Sequence, residues 1–168
     1  MQEIDQPIRS LIDAVPQTGE LTWIGIRPER KAPLVSLNAV RVTTEGGLEG
    51  DHFSSKKNRK RQVTLIQFEH LQAVASILGK SEVSPILTRR NLVVKGINLF
   101  SLKNMKFRIG EVVLEATGYC HPCSRMEENL GPGGYNAMRG HGGITAKVVA
   151  GGIIHPGDPV SLLTTEHT

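Results

Sequence analysis

Aromatic side chains are scarce in this 168-residue chain, at one Trp, two Tyr and four Phe, or 4%. A surface that stacks single-stranded nucleic acid needs exposed rings, so that class of partner is disfavoured. Cysteine is rarer still, with only Cys120 and Cys123. Two cysteines cannot build the disulfide framework of a small secreted domain, and in a reducing compartment they are thiols. No apolar run approaches the roughly 20 residues that a membrane-spanning helix needs, so no membrane association is expected. The stretch from Met1 to Gln6 contains Glu3 and Asp5 and no apolar core, so a secretory signal is not expected and the expected compartment is the cytoplasm. Long helical periodicity is also sparse, which disfavours a doubly wound sheet interleaved with helices.

The residues that are present describe one globular unit. Apolar residues make up 39% of the chain, enough for one sizeable core, so a single domain is expected over residues 1–168, with residues 1–18 as an extension. Twenty Lys and Arg face 16 Asp and Glu, a formal net charge of +4, which is a mild bias towards anionic partners. The β-like runs are Leu21 to Ile26, Ser36 to Thr43, Gln62 to Gln67, Asn91 to Lys95, Met105 to Ile109, Glu111 to Thr117, Ile144 to Val149 and Val160 to Leu163. Glycine-containing turns separate most of them. Clear helical spacing occurs once, where Phe68, Leu71, Val74 and Leu78 fall on one face before Gly79. Ile8 to Val15 and Ser124 to Leu130 read as short helices, the latter opened by a capping box from Ser124 to Glu127. Many short strands and one or two short helices predict a mainly β fold, an antiparallel barrel or sandwich.

The candidate chemistry is concentrated after Gly118. In the segment Gly118 to Arg125, both cysteines precede a helix start, where unpaired N–H groups favour a thiolate. Cys123, directly before the expected cap, is thus a candidate nucleophile or metal ligand, and Arg125 and His121 add positive charge. The glycine-rich stretch from Gly131 to Gly143 follows, carrying Asn136, Arg139, His141 and Gly142. Its backbone N–H groups can cradle an anion, Arg139 can grip a phosphate, and His141 can carry a proton near neutral pH. An irregular barrel connection explains the same glycines equally well. Arg61, Arg89, Arg90 and Asn91 precede apolar strands, a position suited to binding phosphate or carboxylate at a strand mouth. The basic run from Lys56 to Arg61 otherwise reads as a solvated loop. Asp51 and His52, in a glycine turn, are candidate acid–base groups, with turn bonding as the alternative.

Taken in order, GGLEGDH at Gly46 to His52, RQVTLIQFEHL at Arg61 to Leu71, RRNLVVKGINL at Arg89 to Leu99, FRIGEVVLEATG at Phe107 to Gly118, the Pro-Cys element at Cys123 and PGDPV at Pro156 to Val160 resemble the MOSC domain. This is the C-terminal domain of molybdenum cofactor sulfurases, which also occurs alone in bacteria. The resemblance runs from about Leu21 to the C-terminus. It implies a mostly antiparallel β-barrel of the pyruvate-kinase type and a single cysteine, here Cys123, that holds molybdenum or a sulfur species. The implied cofactor is molybdopterin, whose phosphate the strand-mouth arginines and the glycine-rich loop suit. The implied activity is reduction of N-hydroxylated compounds, or carriage of sulfur or cofactor, with a separate electron-transfer or sulfur-donor protein as partner. Pyridoxal phosphate is not expected in this chain, because it lacks the length of the desulfurase domain. Cys120 lies outside the shared element, as a resolving thiol or an incidental one.

Two other classes remain at this stage. A lone C-x-x-C completed by His121, His141 or His155 would make a zinc or thiol-redox protein. The Lys56 to Arg61 run would make a small basic barrel that binds nucleic acid.

Overall fold

A computed structural model describes residues 7–52 and 58–164. Lys56 and Lys57 of the basic run lie outside the described residues. The chain opens with the short helix α1 (Ile8–Ile12), none of whose residues is buried. Strands β1 (Gly19–Ile26), β2 (Val35–Leu37), β3 (Val40–Thr43) and β4 (Gly47–Leu48) follow. A 3-10 turn at Arg59–Arg61 leads into β5 (Val63–Gln67), α2 (Phe68–Ile77), a second 3-10 turn at Pro85–Thr88 and β6 (Leu92–Lys95). After a third 3-10 turn at Leu99–Leu102 come β7 (Lys106–Ile109), β8 (Val112–Tyr119), α3 (Ser124–Leu130) and α4 (Gly134–Met138). Strands β9 (Ile144–Ala150), β10 (Gly152–Ile154) and β11 (Pro159–Leu162) complete the described chain.

The expected barrel is present and closed. Strands β11, β7, β8, β9, β5, β6 and β1 pair in that order, and β1 pairs back onto β11, so the ring has 7 strands. Closure removes the exposed edges that an open sheet would leave for aggregation. A separate ribbon of β10, β3 and β4 lies beside it.

Three details refine the expected fold. The stretch Ser36 to Thr43 is two strands, because β2 stays on β1 while β3 leaves to pair with β10. The barrel is not wholly antiparallel: β5 and β6 run parallel, joined by α2 as a crossover. The helices number four among the described residues, since Gly134–Met138 inside the glycine-rich stretch also coils.

Strand alternation explains the layers. Leu65, Leu92 and Val94 point into the barrel, while Ile66 and Val93 point out under α2, α3 and α4. Two-sided burial is why β5 and β6 read as near-continuous apolar runs. The outer layer, with Leu71, Val74, Met126, Leu130 and Met138, fixes the helices against that wall and so positions the segment between β8 and α3.

Candidate functional site

Hydrogen bonds tie together the segment after β8, the segment before β9 and the approach to β6. Arg90 is buried and its guanidinium reaches four carbonyls. Nε donates to Gly142 at 2.8 Å and Nη1 to Thr88 at 2.9 Å, while Nη2 reaches Cys120 at 3.3 Å and His121 at 3.4 Å. Cys120 donates its N–H to Gly143 at 2.9 Å. The arginine expected to grip an anion therefore has its donors committed to Thr88 and to the loops that bear Gly142 and the cysteines, which it holds together. Gly142 is likewise explained by packing, because a Cβ there would stand 2.1 Å from the Cys120 carbonyl oxygen.

Asn91 is also buried. Its Oδ1 accepts from Thr64 N–H at 3.2 Å and from the Thr64 hydroxyl at 3.1 Å, and its Nδ2 donates to Gly25 at 3.1 Å. It also hydrogen-bonds the Asp51 carboxylate. The Arg27 N–H donates to Asp51 Oδ1 at 2.7 Å, and His52 N–H donates to the Arg27 carbonyl at 2.6 Å. The turn carrying Asp51 and His52 thus clamps the residue that follows β1. Burial pushes the Asp51 carboxyl above the usual aspartate value, and the Arg27 N–H, the Arg27 charge, Asn91 and His52 oppose it.

Arg27, Arg89 and Arg125 line one groove of about 260 Å³, with Lys31 and Asn129 also on its wall. Among the described residues, none of these three arginines forms a salt bridge. Arg89 records the crowding: burial first, then Arg27 and Arg125, pull its pKa down, while Cys123 pushes it up. Arg89 also holds a left-handed backbone, φ 60 and ψ 26, at the end of the Pro85–Thr88 turn. Cys123 is exposed and Cys120 is 4% exposed. Cys123 itself is the N-cap of α3, with no side-chain capping bond. The expected box is therefore absent. Glu127 turns forward instead, accepting from Gly133 N–H at 2.7 Å and Tyr135 N–H at 2.9 Å, which caps α4 and draws its carboxyl below the usual range.

The remaining candidates stand apart from the groove wall. Arg139 is exposed and meets Asn136 Oδ1 at 3.4 Å. Arg61 is exposed on its 3-10 turn. His141 donates from Nδ1 to the Ala137 carbonyl at 2.8 Å, and its ring packs edge-on to His70 at 5.1 Å. His70 is pulled below its ordinary value by burial and then by His141, and its Nδ1 is buried without a partner. Arg27, Lys31 and His70 escaped the sequence reading. Arg27 had a signal: it directly follows a strand, at the opposite end from the strand-preceding position that singled out Arg61 and Arg89. A larger groove of about 750 Å³ runs along α2, but its wall of Trp23, Phe68, Leu71, Val83 and neighbours contains no cysteine, histidine or arginine.

No cluster of three or more His, Cys, Asp or Glu side chains suited to a metal occurs among the described residues. A zinc site built on Cys120 and Cys123 is thus unsupported by the geometry. No helix among them is long and apolar enough to cross a membrane.

A closed barrel of this topology, with a free exposed cysteine beside unpaired arginines, defines a class of small β-barrel domains. A family model described as the MOSC domain matches residues 46–161, and the chain belongs to that family. Solved structures share the fold. The YuaD protein from Bacillus subtilis superposes with a TM-score of 0.76 at 16% identity, over 91% of this chain and 100% of that one. YiiM from Escherichia coli gives 0.64 at 19% identity, over 87% and 70%. YiiM from Geobacillus stearothermophilus gives 0.68 at 17% identity, over 87% and 75%. No curated protein matches the sequence.

Proposed function

We propose that this chain binds the molybdenum–pterin cofactor associated with its family, with Cys123 as the protein ligand to the metal and the Arg27–Arg89–Arg125 groove as the seat of the cofactor's phosphate. The observation that carries this reading is the pairing of an exposed thiol with a cluster of guanidinium groups that have no carboxylate partners. The donor set fits the group: a thiolate is the soft ligand molybdenum prefers, and arginine forks match phosphate oxygens two at a time. Crowded like charges are costly alone and are relieved by an anion, which favours occupancy.

When bound, the cofactor supplies a redox-active metal suited to reducing N-hydroxylated compounds, or a centre for carrying sulfur. The chain's own residues then have distinct tasks. Arg90 fixes the Cys120–Cys123 backbone by binding its carbonyls. Asp51, its carboxyl raised by burial, can hold a proton beside Arg27. His141 and His70 form a separate pair of imidazoles in edge contact that can hold a proton. Arg139, met by Asn136 Oδ1, and Arg61 are exposed cations away from the groove wall that would steer an anion by charge rather than by enclosure. An oxidoreductase role would call for an electron-donor protein, and a carrier role for a sulfur donor.

The experiment is metal and pterin analysis of protein made in a host that synthesises the cofactor. Molybdenum near one per chain that disappears in Cys123→Ser supports the reading. Molybdenum-free parent protein from such a host refutes it, and zinc near one per chain would install the C-x-x-C alternative.

A further inference from the structure

We infer that the outer face of β7, β8 and β9 is a docking surface for an acidic protein. Residues that alternate with the barrel core point outward here: Lys106 and Arg108 on β7, Val113, Glu115 and Thr117 on β8, and Thr145, Lys147 and Val149 on β9. The register sets Lys106 opposite Glu115 and Glu115 opposite Lys147, making one row across three strands. Arg108 lies in the next row, opposite Val113. At the other end the 3-10 turn Arg59–Arg61 lies on this face, because the Thr117 hydroxyl donates to the Lys60 carbonyl and also bonds Thr145. Beyond it, Lys103 sits 4.5 Å from the centre of the Tyr119 ring.

Among the described residues, the outward positions of these strands hold one acid, Glu115, and it is already engaged by Lys147 at 3.4 Å. The cations around it have no such neutralisation, although the chain as a whole has 16 acidic residues to 20 basic. The basic excess is therefore local, and a one-signed field on one face steers oppositely charged partners. Apolar and aromatic surface lies within the charge: Val149 is 37% exposed and Tyr119 is 44% exposed. Apolar centres with tyrosine inside a charged border are how protein interfaces are built.

The occupant follows from this chemistry. A second copy of this face is repelled, being equally basic. Nucleic acid is disfavoured by shape and rings: the face is the outside of a barrel, and Tyr119, its exposed ring, is covered by Lys103 and packed edge-on to Phe100 at 4.9 Å. Carboxylates on a protein surface suit dispersed lysines with apolar patches between them. This surface is distinct from the arginine groove and stands whether or not a cofactor occupies that groove.

The test measures binding of fluorescein-labelled poly-L-glutamate at low salt by anisotropy, against a DNA duplex of equal charge. Lys106→Glu with Arg108→Glu is expected to weaken poly-L-glutamate binding by about tenfold. Arg9→Glu with Arg41→Glu changes net charge equally from elsewhere on the surface and is expected to change it less than about twofold. Thermal melts confirm that each variant folds, and Lys106→Gln with Arg108→Gln gives the same ranking with a milder change. Equal losses in the two charge-reversal pairs would show diffuse attraction and overturn the inference. A duplex bound more tightly than poly-L-glutamate, and released by the Lys106 and Arg108 changes, would assign the face to nucleic acid and also overturn it.

Discussion

Arg90 donates from Nε to the carbonyl of Gly142 at 2.8 Å, joining the strand mouth of β6 to the entry of β9 across 52 residues of sequence. The same guanidinium reaches Cys120 and His121, so one buried side chain sets where the exposed Cys123 stands. Position and function meet in that bond. Arg89 lines the groove shared with Arg27 and Arg125, and its neighbour in sequence holds the loop behind it.

Removing the Arg90 fork leaves buried carbonyls without donors. Arg90→Met is expected to cost about 3 kcal/mol or more. That corresponds to a fall in melting temperature of roughly 6–12 °C for a chain of this size. Lysine cannot reproduce the fork, so Arg90→Lys should recover less than half of the loss in calorimetry.

Gly142 and Gly143 make the same point through space. A Cβ at Gly143 would stand 1.8 Å from the Leu65 carbonyl oxygen, on a backbone with φ +86, and one at Gly142 2.1 Å from Cys120 oxygen. Either alanine variant is expected to lose about 2–4 kcal/mol in chemical denaturation, with Gly143→Ala the worse because steric overlap and backbone strain add.

Exposure separates the two thiols. Cys123 is exposed and Cys120 is 4% exposed, so iodoacetamide should label Cys123 first in native protein and both only after unfolding. Peptide mass spectrometry reads the order. Faster labelling at Cys120 would exchange their roles.

Arg89 combines a left-handed backbone with cationic neighbours. Arg89→Gly is expected to raise stability by about 1 kcal/mol by removing the strain. The same change should weaken phosphate binding measured by calorimetry. A variant that gains nothing in stability and binds phosphate like the parent would detach Arg89 from the site.

Two groups give opposite pH signatures. Burial raises Asp51 above 3.8, so its contribution is fully present below 3.8 and is lost as pH rises through the higher folded value. Asp51→Asn keeps an acceptor for the Arg27 N–H and is expected to melt higher than the parent at neutral pH, with the gap closing on acidification. His70 is lowered from 6.5, so its contribution is present above 6.5 and is lost as pH falls through the lower folded value. His70→Phe should flatten the acid side of the stability profile.

Strand positions were legible because alternation and β-branched runs survive in the sequence: β5, β6, β8 and β9 begin and end within a few residues of the runs that predicted them. The two short strands β4 and β10 were not, since two or three residues beginning with glycine carry no period. Helix α4 was hidden for a related reason. Its sequence, GYNAM, has weak helical preference, and it is capped from outside by Glu127 through Gly133 and Tyr135. The break at Asn38 and Ala39 looked like strand because local pattern does not say which sheet a strand joins.

By itself the sequence determined a mainly β chain with a MOSC-like order of motifs, two cysteines before a helix, and arginines at strand mouths. These are local properties, written in alternation, turn residues and short spacings. Only the tertiary structure decided which arginine does what. Arg89 and Arg90 are adjacent, yet Arg89 has a left-handed backbone and joins Arg27 and Arg125 at a groove, while Arg90 is buried among carbonyls from Thr88, Cys120, His121 and Gly142. The physical reason is that barrel closure brings together ends of strands distant in sequence, and a buried guanidinium must take whatever acceptors that closure places around it.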